Sequence, residues 1–262
     1  MILSSDFDIG FEIEGIALES NYTKIKEIVN NYGMSFLTGD TSIQITPEIE
    51  ELAEFEHEDE VYTEKIVPFE INTEAHTVTP KNILKTIDLF LNLYQAKIIT
   101  NETCALHAHV KLKNDPLHSH LAYHHSAMCV AYLVETKQYQ TFQYFEGERM
   151  EHIFWSSIEN MMEEYKRTEE NLENMISVNQ DRRRGFFHSH PMGTIEWRGP
   201  RGMFDYNPLA FCNNSLKSFE ERIVRYTKFL FSLIPILRNA HNGKGIVKSD
   251  SLYWTLYSTR FA

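Results

Sequence analysis

The strongest constraint on how this chain can fold is an alternation of apolar and polar residues that recurs in three separate segments. Successive side chains of a β-strand point to opposite faces, so a period of two predicts a strand with one face in the core. The longest segment covers residues 6–18, and its apolar positions are Phe7, Ile9, Phe11 and Ile13. The others are 104–112 and 193–198. The pattern therefore predicts three strands that share one design.

Each of these segments carries two polar or charged residues two positions apart, which the alternation places on the same face. The pairs are Glu12 with Glu14, His107 with His109, and Glu196 with Arg198. Burying such groups is costly unless they have partners. Gathered on one concave face of a sheet, they would form a cavity lined by carboxylates and imidazoles, with an arginine at its edge.

This set of side chains indicates a metal site. Clustered carboxylates suit Mg²⁺ or Mn²⁺, and one or two imidazoles are more typical of Mn²⁺. An arginine beside such metals can bind two oxygens of a phosphoryl group, so the combination favours phosphoryl transfer from a nucleotide. Taken singly, E-x-E is common on exposed sheet faces and E-x-R is usually a surface ion pair, whereas H-x-H more often indicates metal.

The remaining chain mixes strands and helices without regular β-α-β alternation, which favours an α+β fold with a largely antiparallel sheet. We expect strands at 41–46 and 61–71. The predicted helices cover residues 21–33, 80–96, 117–135, 150–177 and 209–239. Pro80 can open the second helix, and Pro235 should kink or end the last one. A single domain over 1–262, completed by C-terminal helices at about 209–258, is the simplest interpretation.

Composition narrows the class of protein. No apolar run approaches the roughly 20 residues of a membrane-spanning helix, and the N-terminal residues lack the pattern of a secretory signal. The 3 cysteines are scattered, which argues against a disulfide framework and favours a reducing, cytoplasmic location. The net charge of −12 makes extended nucleic-acid binding an unfavourable hypothesis. There is no G-x-S-x-G, Walker-type loop or G-x-G-x-x-G motif.

Together the motifs resemble those of the amidoligase family, compact relatives of glutamine synthetase and the glutamate–cysteine ligases. Residues 10–15 match the family's G-x-E-x-E-G, residues 104–110 match C-G-L-H-x-H-V, and residues 194–198 match T-x-E-x-R. Residues 40–42 are similar to the family's D-x-S, and the segment around Glu70 is loosely similar to its next acidic motif. Ala105 stands where the family has glycine. The resemblance extends over roughly residues 8–200.

The resemblance implies a glutamine-synthetase-like catalytic domain, with a curved, largely antiparallel sheet and helices on its outer face. It implies an ATP- and Mg²⁺-dependent (or Mn²⁺-dependent) ligase that joins a carboxylate to an amine through an acyl phosphate. A small molecule, a peptide or a modified base could supply the reacting groups. The substrate pair and the oligomeric state stay open.

The resemblance also implies roles for individual residues. Glu12 and Glu14 would belong to two different metal centres, and Glu70 would join Glu14. His107 and Glu196 would join Glu12 at the second metal. The residues implied in catalysis are Arg198, Glu14 and Glu196, with Arg198 contacting the transferring phosphoryl group, and His109 would lie near the nucleotide phosphates.

Several further groups have two interpretations. Arg182 to Arg184 and Arg201 could bind nucleotide phosphates or a carboxylate, and the alternative for the arginine triplet is an exposed basic turn. The acidic stretch 48–60 is either a solvated helix or loop, or a lid or docking surface for a basic partner. Four histidines, His118, His120, His124 and His125, lack a third ligand at a recognised spacing and are interpreted as surface or packing residues. His188 and His190 are closer to the site and could line a substrate pocket.

Two rival functions remain open at this point. The same acids and imidazoles would serve a metal-dependent hydrolase or phosphatase that works without ATP. A non-catalytic binding protein that keeps the fold is the other alternative. ADP formation that depends on both an acid and an amine distinguishes the ligase from either rival.

Overall fold

The computed structural model describes residues 3–39, 41–57, 60–101, 103–113, 132, 136, 187–190, 193–198, 204 and 216–244. In these parts the fold is α+β, with an open antiparallel sheet and helices packed against it. The strands are β1 Phe7–Leu18, β2 Ser35–Thr38, β3 Glu54–His57, β4 Glu60–Thr63, β5 Ile66–Asn72, β6 His76–Thr77, β7 Leu106–Leu112, β8 Phe187–His190 and β9 Thr194–Trp197. The helices are α1 Glu19–Asn31, α2 Pro47–Ala53, α3 Pro80–Gln95 and α4 Leu216–His241.

The main sheet is built around β1, which has 12 residues and is the longest described strand. Strand order is β2-β5-β1-β7-β9-β8, and the short β6 pairs with β1 just beyond the end of β5. Every described pairing is antiparallel. β3 and β4 form a separate hairpin. β1 is thus paired along both edges, so side chains on it have neighbours from two strands.

The apolar face of the sheet lies against the three longer helices. Opposite residues such as Ile13 and Leu106 share this face, and Trp197 on β9 is completely buried there. Phe11 on β1 packs edge-on against Phe90 of α3, with ring centroids 5.9 Å apart. The buried positions of the helices that complete this core include Ile25, Val29, Leu89, Phe90, Leu93, Leu230, Leu233 and Leu237. Burial of one face explains the alternation in the sequence.

A smaller second core closes one end of the other face. Ile16 of β1 packs there with Ile43, Ile49 and Ile99, together with Cys104. The segment before α2 is tied to the loop near residue 101, because the Asn101 amide donates to the carbonyl of Gln44 at 2.7 Å. The loop and α2 therefore cover the sheet beyond Glu14.

Local sequence signals explain where the helices begin. α3 starts with Pro80 at its first position, and the hydroxyl of Thr79 accepts a hydrogen bond from the backbone of Asn82 at 3.3 Å. α2 likewise starts with Pro47 and buries Ile49. Its acidic side chains Glu48, Glu50 and Glu51, with Glu54 after it, are exposed to solvent. In this part of the acidic stretch the charges face water.

Two predictions about strands were wrong. Residues 41–46 are not a strand, because Ile43 turns into the second core and Pro47 then opens α2. The predicted strand 61–71 is two strands, β4 and β5, because the chain turns at Glu64 and Lys65. There the backbone of Glu64 donates to Ala53 at 2.7 Å. The predicted helix 209–239 is confirmed from Leu216 onward. It runs through Pro235, which is exposed, to His241, so Pro235 does not end it.

Other predictions lie wholly or largely outside the described residues. This applies to the helices at 117–135 and 150–177, of which only residue 132 is described, and to the ends of the proposed C-terminal helical region. The strands at 6–18, 104–112 and 193–198 are confirmed within a few residues, as are the helices at 21–33 and 80–96. Within the described ranges no helix is long and apolar enough to cross a membrane.

Candidate metal centre

Four neighbouring strands bring the predicted site residues to the face of the sheet opposite the helical core, called the polar face below. Residues directly opposite each other in an antiparallel pair point to the same side. The opposing pairs are Glu14 with Glu70, Glu12 with His107, and His109 with Glu196. The side-chain sets from β5, β1, β7 and β9 thus form one continuous patch. The sequence predicted the shared face, and the strand register determines the neighbours.

At the centre of the patch, Glu12, His107 and Glu196 converge. The Nδ1 atom of His107 lies 3.2 Å from Oε2 of Glu12 and 3.2 Å from Oε1 of Glu196. One potential ligand atom from each residue lies within 4.8 Å of the other two. His107 and Glu196 are buried, and the Glu12 side chain is 22 % exposed. The cluster is therefore largely removed from solvent but accessible through Glu12.

The donor set and its spacing fit one divalent cation. Oxygen ligands lie about 2.1 Å from Mg²⁺, which places adjacent ligands of an octahedral ion about 3 Å apart. The two His107 contacts are close to that separation. The second carboxylate oxygen of Glu196 is buried and has no hydrogen-bond partner among the described residues. A buried carboxylate oxygen without a donor is costly, and a metal ion would compensate for it.

Electrostatics favour an ionised Glu12. Burial raises the pKa of its carboxyl, but hydrogen bonds from His107, His109 and Glu70 have the opposite effect and hold the pKa well below its usual range. A carboxylate that stays ionised is a ready ligand, because metal binding then has no proton to displace from it.

His109 lies beside the same carboxylate. Its Nε2 atom is 3.1 Å from Oε2 of Glu12, and its Nδ1 atom is 3.2 Å from the hydroxyl of Thr194. Thr194 therefore helps to fix the orientation of the ring. The family resemblance implies that His109 lies near nucleotide phosphates, and that role stays a prediction. The contact with Thr194 was not predicted, although parity along β9 places Thr194 and Glu196 on one face.

Glu14 and Glu70 occupy the adjoining part of the polar face. The backbone N–H of Ala105 donates to Oε2 of Glu14 at 2.7 Å, and the backbone of Glu14 donates to the carbonyl of Ala105 at 3.1 Å. Glu14 is buried, whereas Glu70 is partly exposed. Oε1 of Glu70 accepts a hydrogen bond from the side chain of Asn72 at 2.5 Å. The methyl group of Ala105 does not prevent the backbone contact with Glu14.

Arg198 lies at the edge of the cluster, directly after β9. Its guanidinium donates to Oε1 of Glu196, the same oxygen that faces His107. The Arg198 side chain is 29 % exposed, so part of its guanidinium group still reaches solvent. An arginine held this way can bind an anionic group next to a metal.

Other residues named from the sequence lie outside the described part of the chain. These are Arg182, Arg183, Arg184, Arg201, His118, His120, His124 and His125. Two histidines are placed by backbone pairing alone, with His188 opposite Glu196 and His190 opposite Thr194 on β8. The H-x-H spacing of that pair was a signal for a further strand beside β9.

Known proteins give no independent identification. Comparisons with protein-family models, with curated proteins and with solved structures find no match to this chain. The site therefore has to be interpreted from its own chemistry. Its carboxylates, imidazoles and arginine could hold a divalent cation and an anionic ligand side by side.

Proposed function

We propose that this protein is an ATP- and Mg²⁺-dependent (or Mn²⁺-dependent) ligase that joins a carboxylate to an amine on a glutamine-synthetase-like sheet. The observation that carries the proposal is the convergence of Glu12, His107 and Glu196 around one position, with Arg198 bonded to Glu196. A second acidic pair, Glu14 and Glu70, lies opposite across β1 and β5.

The arrangement suits phosphoryl transfer because that reaction needs charge neutralisation and positioning more than covalent participation by the protein. Glu12, His107 and Glu196 would hold one cation. Glu14 and Glu70 would help to hold another. Such cations would neutralise phosphate oxygens and stabilise the transferred group. Arg198 would bind an oxygen of the phosphoryl group being transferred, since its guanidinium is partly exposed beside the cluster.

The proposed reaction has two balanced steps. In the first, an oxygen of the substrate carboxylate attacks the γ-phosphorus of ATP, and the bond from that phosphorus to the bridging oxygen breaks to release ADP. In the second, an amine attacks the acyl carbon, the C–O bond to phosphate breaks, and the amine loses one proton. The products are an amide, ADP and inorganic phosphate. Activation is required because a free carboxylate has a poor leaving group.

Further contributions are proposed for His109 and for three arginines. His109, which contacts Glu12 and Thr194, would lie near the phosphates. Arg182, Arg184 and Arg201 are proposed to approach the nucleotide or the substrate carboxylate. The reacting pair is proposed to be a small-molecule, peptide or modified-base acid and amine.

An ADP-release screen tests the proposal. The purified protein is incubated with Mg-ATP and with panels of carboxylates and amines, supplied singly and in pairs. We expect ADP only when an acid and an amine are both present, and we expect Glu12→Ala to abolish it. Glu50→Ala, at an exposed position of α2, is the matched control and should retain full activity.

Two results would count against a ligase. Release of phosphate from simple esters with metal alone would support the hydrolase alternative. Absence of both ADP release and any Mg-ATP-dependent rise in melting temperature would support a non-catalytic protein.

A further inference from the structure

Asn72 lies beside the candidate metal ligands on the polar face. It is the last residue of β5 and lies directly opposite Glu12 on β1, on the flank away from His107. On its other side it pairs with Ser35 of β2, whose hydroxyl donates to the Asn72 carbonyl at 3.4 Å. Asn72 is thus held by strands on both sides, and its backbone is a rigid support for the side chain.

The side chain of Asn72 points its amide nitrogen at an acid. Nδ2 donates to Oε1 of Glu70 at 2.5 Å. Glu70 lies diagonally across the β1–β5 pair from Glu12, because Glu14 is opposite Glu70 and Glu12 is opposite Asn72. Neighbouring side chains therefore lead from Asn72 through Glu70 to Glu12, and His107 contacts Glu12 on the other side. The amide nitrogen of Asn72 has no lone pair available for a cation. Through this nitrogen, Asn72 therefore affects metal binding only by way of Glu70.

Glu70 gains from such support. Glu14 and Glu196 are buried, whereas Glu12 and Glu70 are partly exposed. Four carboxylates on one face repel one another when ionised. Repulsion would drive a partly exposed carboxylate outward. His107 and His109 contact Glu12, and the Asn72 amide opposes that movement of Glu70. Groups that hydrogen-bond a ligating carboxylate in this way commonly matter for metal affinity.

We propose that Asn72 is a positioning residue that holds the Glu70 carboxylate beside Glu12, so that Glu70 is available as a metal ligand. The inference rests on the proposed function for its premise that the patch binds metal. It adds Asn72 to the residues that act on the proposed metal site.

A titration with Mn²⁺, in which free Mn²⁺ is measured by electron paramagnetic resonance, tests this role without any turnover. The proteins compared are wild type, Asn72→Leu, Glu70→Gln and the double variant. We expect Asn72→Leu to weaken the binding of a Mn²⁺ ion by about 10- to 100-fold. In the Glu70→Gln background the same substitution should change the affinity by less than about twofold, because the contact it removes is already lost.

Ser35→Ala is the matched control, since it removes a hydrogen bond to the Asn72 backbone and leaves the amide side chain in place. Its Mn²⁺ affinity should stay within about twofold of wild type. Asn72→Ala provides a second variant without the bulk of leucine. Circular dichroism and metal-free melting temperatures establish that each variant is folded.

The outcomes separate this inference from the proposed function. Wild-type Mn²⁺ affinity in folded Asn72→Leu or Asn72→Ala overturns the inference and leaves the ligase proposal intact. An equal loss in the presence and absence of the Glu70 carboxylate also overturns it. A loss that depends on Glu70, in a protein that releases no ADP with any acid and amine, supports the inference and contradicts the ligase. Absence of Mn²⁺ binding by wild type overturns both.

Discussion

His107 and Glu12 face each other across β7 and β1, and Nδ1 of His107 lies 3.2 Å from Oε2 of Glu12. The same nitrogen lies equally far from Oε1 of Glu196. A neutral imidazole has a single N–H, so this nitrogen cannot make a strong hydrogen bond to both acids at once. A divalent cation between the three groups would bind all of them. The register between β1 and β7 therefore brings together the atoms that would bind a metal ion.

The stability of the metal-free protein should fall in acid partly because of Glu12. Its pKa in the folded protein lies well below the ordinary value of 4.5, since hydrogen bonds from His107, His109 and Glu70 outweigh the effect of burial. As pH falls below 4.5, the unfolded chain binds a proton at Glu12 before the folded protein does. The stabilisation from Glu12 is thus present above that pH and is lost progressively below it.

Urea unfolding in the presence of a chelator measures this contribution. One proton bound on unfolding corresponds to a slope of about 1.4 kcal/mol for each pH unit. Glu12→Gln should have a shallower acid slope than wild type by up to that amount. The Glu50→Gln variant, changed at an exposed position, should keep the wild-type slope. Identical slopes for wild type and Glu12→Gln would show that Glu12 is not the ionised acid described here.

Arg198 should affect turnover far more than metal binding. Its guanidinium bonds Glu196 and is still partly exposed, so it is placed to stabilise charge on a transferred group. For the reaction identified by the ADP-release screen, Arg198→Ala should lower kcat by about 10²- to 10³-fold. Mn²⁺ affinity should stay within about threefold, because the three ligands remain.

Lys113→Ala removes a cation that pairs with Asp8 at 3.4 Å at the far end of the same face, and it is the control. A purely structural Arg198 would instead lower the melting temperature and leave kcat of the folded protein unchanged.

Gly15 should be needed for packing on the core side of β1. A Cβ atom added there would lie 2.8 Å from Cδ1 of Ile98 and 3.1 Å from Cζ of Phe69. Both neighbours are buried, so Gly15→Ala should lower the free energy of unfolding by about 1–3 kcal/mol. Ile98→Val removes the closest of these atoms and alone should cost about 0.5–1.5 kcal/mol.

The two changes should be coupled when combined. In the double variant, the shortened side chain leaves room for the new methyl group. Urea denaturation should therefore give a total loss smaller than the sum of the two single losses. Simple additivity, or a neutral Gly15→Ala, would show that the packing at this position is looser than described.

Residue patterning predicted the parts of the fold that depend on local periodicity. Alternation from Phe7 onward specified β1, and Pro80 marked the start of α3. Residue patterning was less informative where contacts with distant residues determine the conformation of a short segment. Ile43 and Ile45 alternate like strand residues, yet Ile43 packs against Ile16 in the second core. Strand β2 was missed because its four residues carry too short a pattern to distinguish a strand from a loop.

In the candidate site, too, some features follow from a local pattern and others depend on residues far apart in the sequence. Parity along each strand was enough to predict that Glu12 and Glu14 share a face, as do His107 and His109. It could not predict which residues meet, because that depends on register between strands far apart in sequence. The hydrogen bond from the Ala105 backbone to Glu14 joins residues 91 positions apart, and no local pattern encodes it. The contact of Asn72 with Glu70 was within reach, since an E-x-N spacing on a strand also places both side chains on one face.

The most direct test of the central claim, that Glu12, His107 and Glu196 bind a divalent cation, is Mn²⁺ binding measured by isothermal titration calorimetry on wild type and His107→Ala. His76→Ala is the matched control, because β6 pairs His76 with Ile9, at a core-face position of β1. We predict that wild type and His76→Ala bind Mn²⁺ with the same affinity, and that His107→Ala binds at least about 10-fold more weakly, as expected for loss of a metal ligand. Equal Mn²⁺ affinity in wild type and a folded His107→Ala variant would contradict the account.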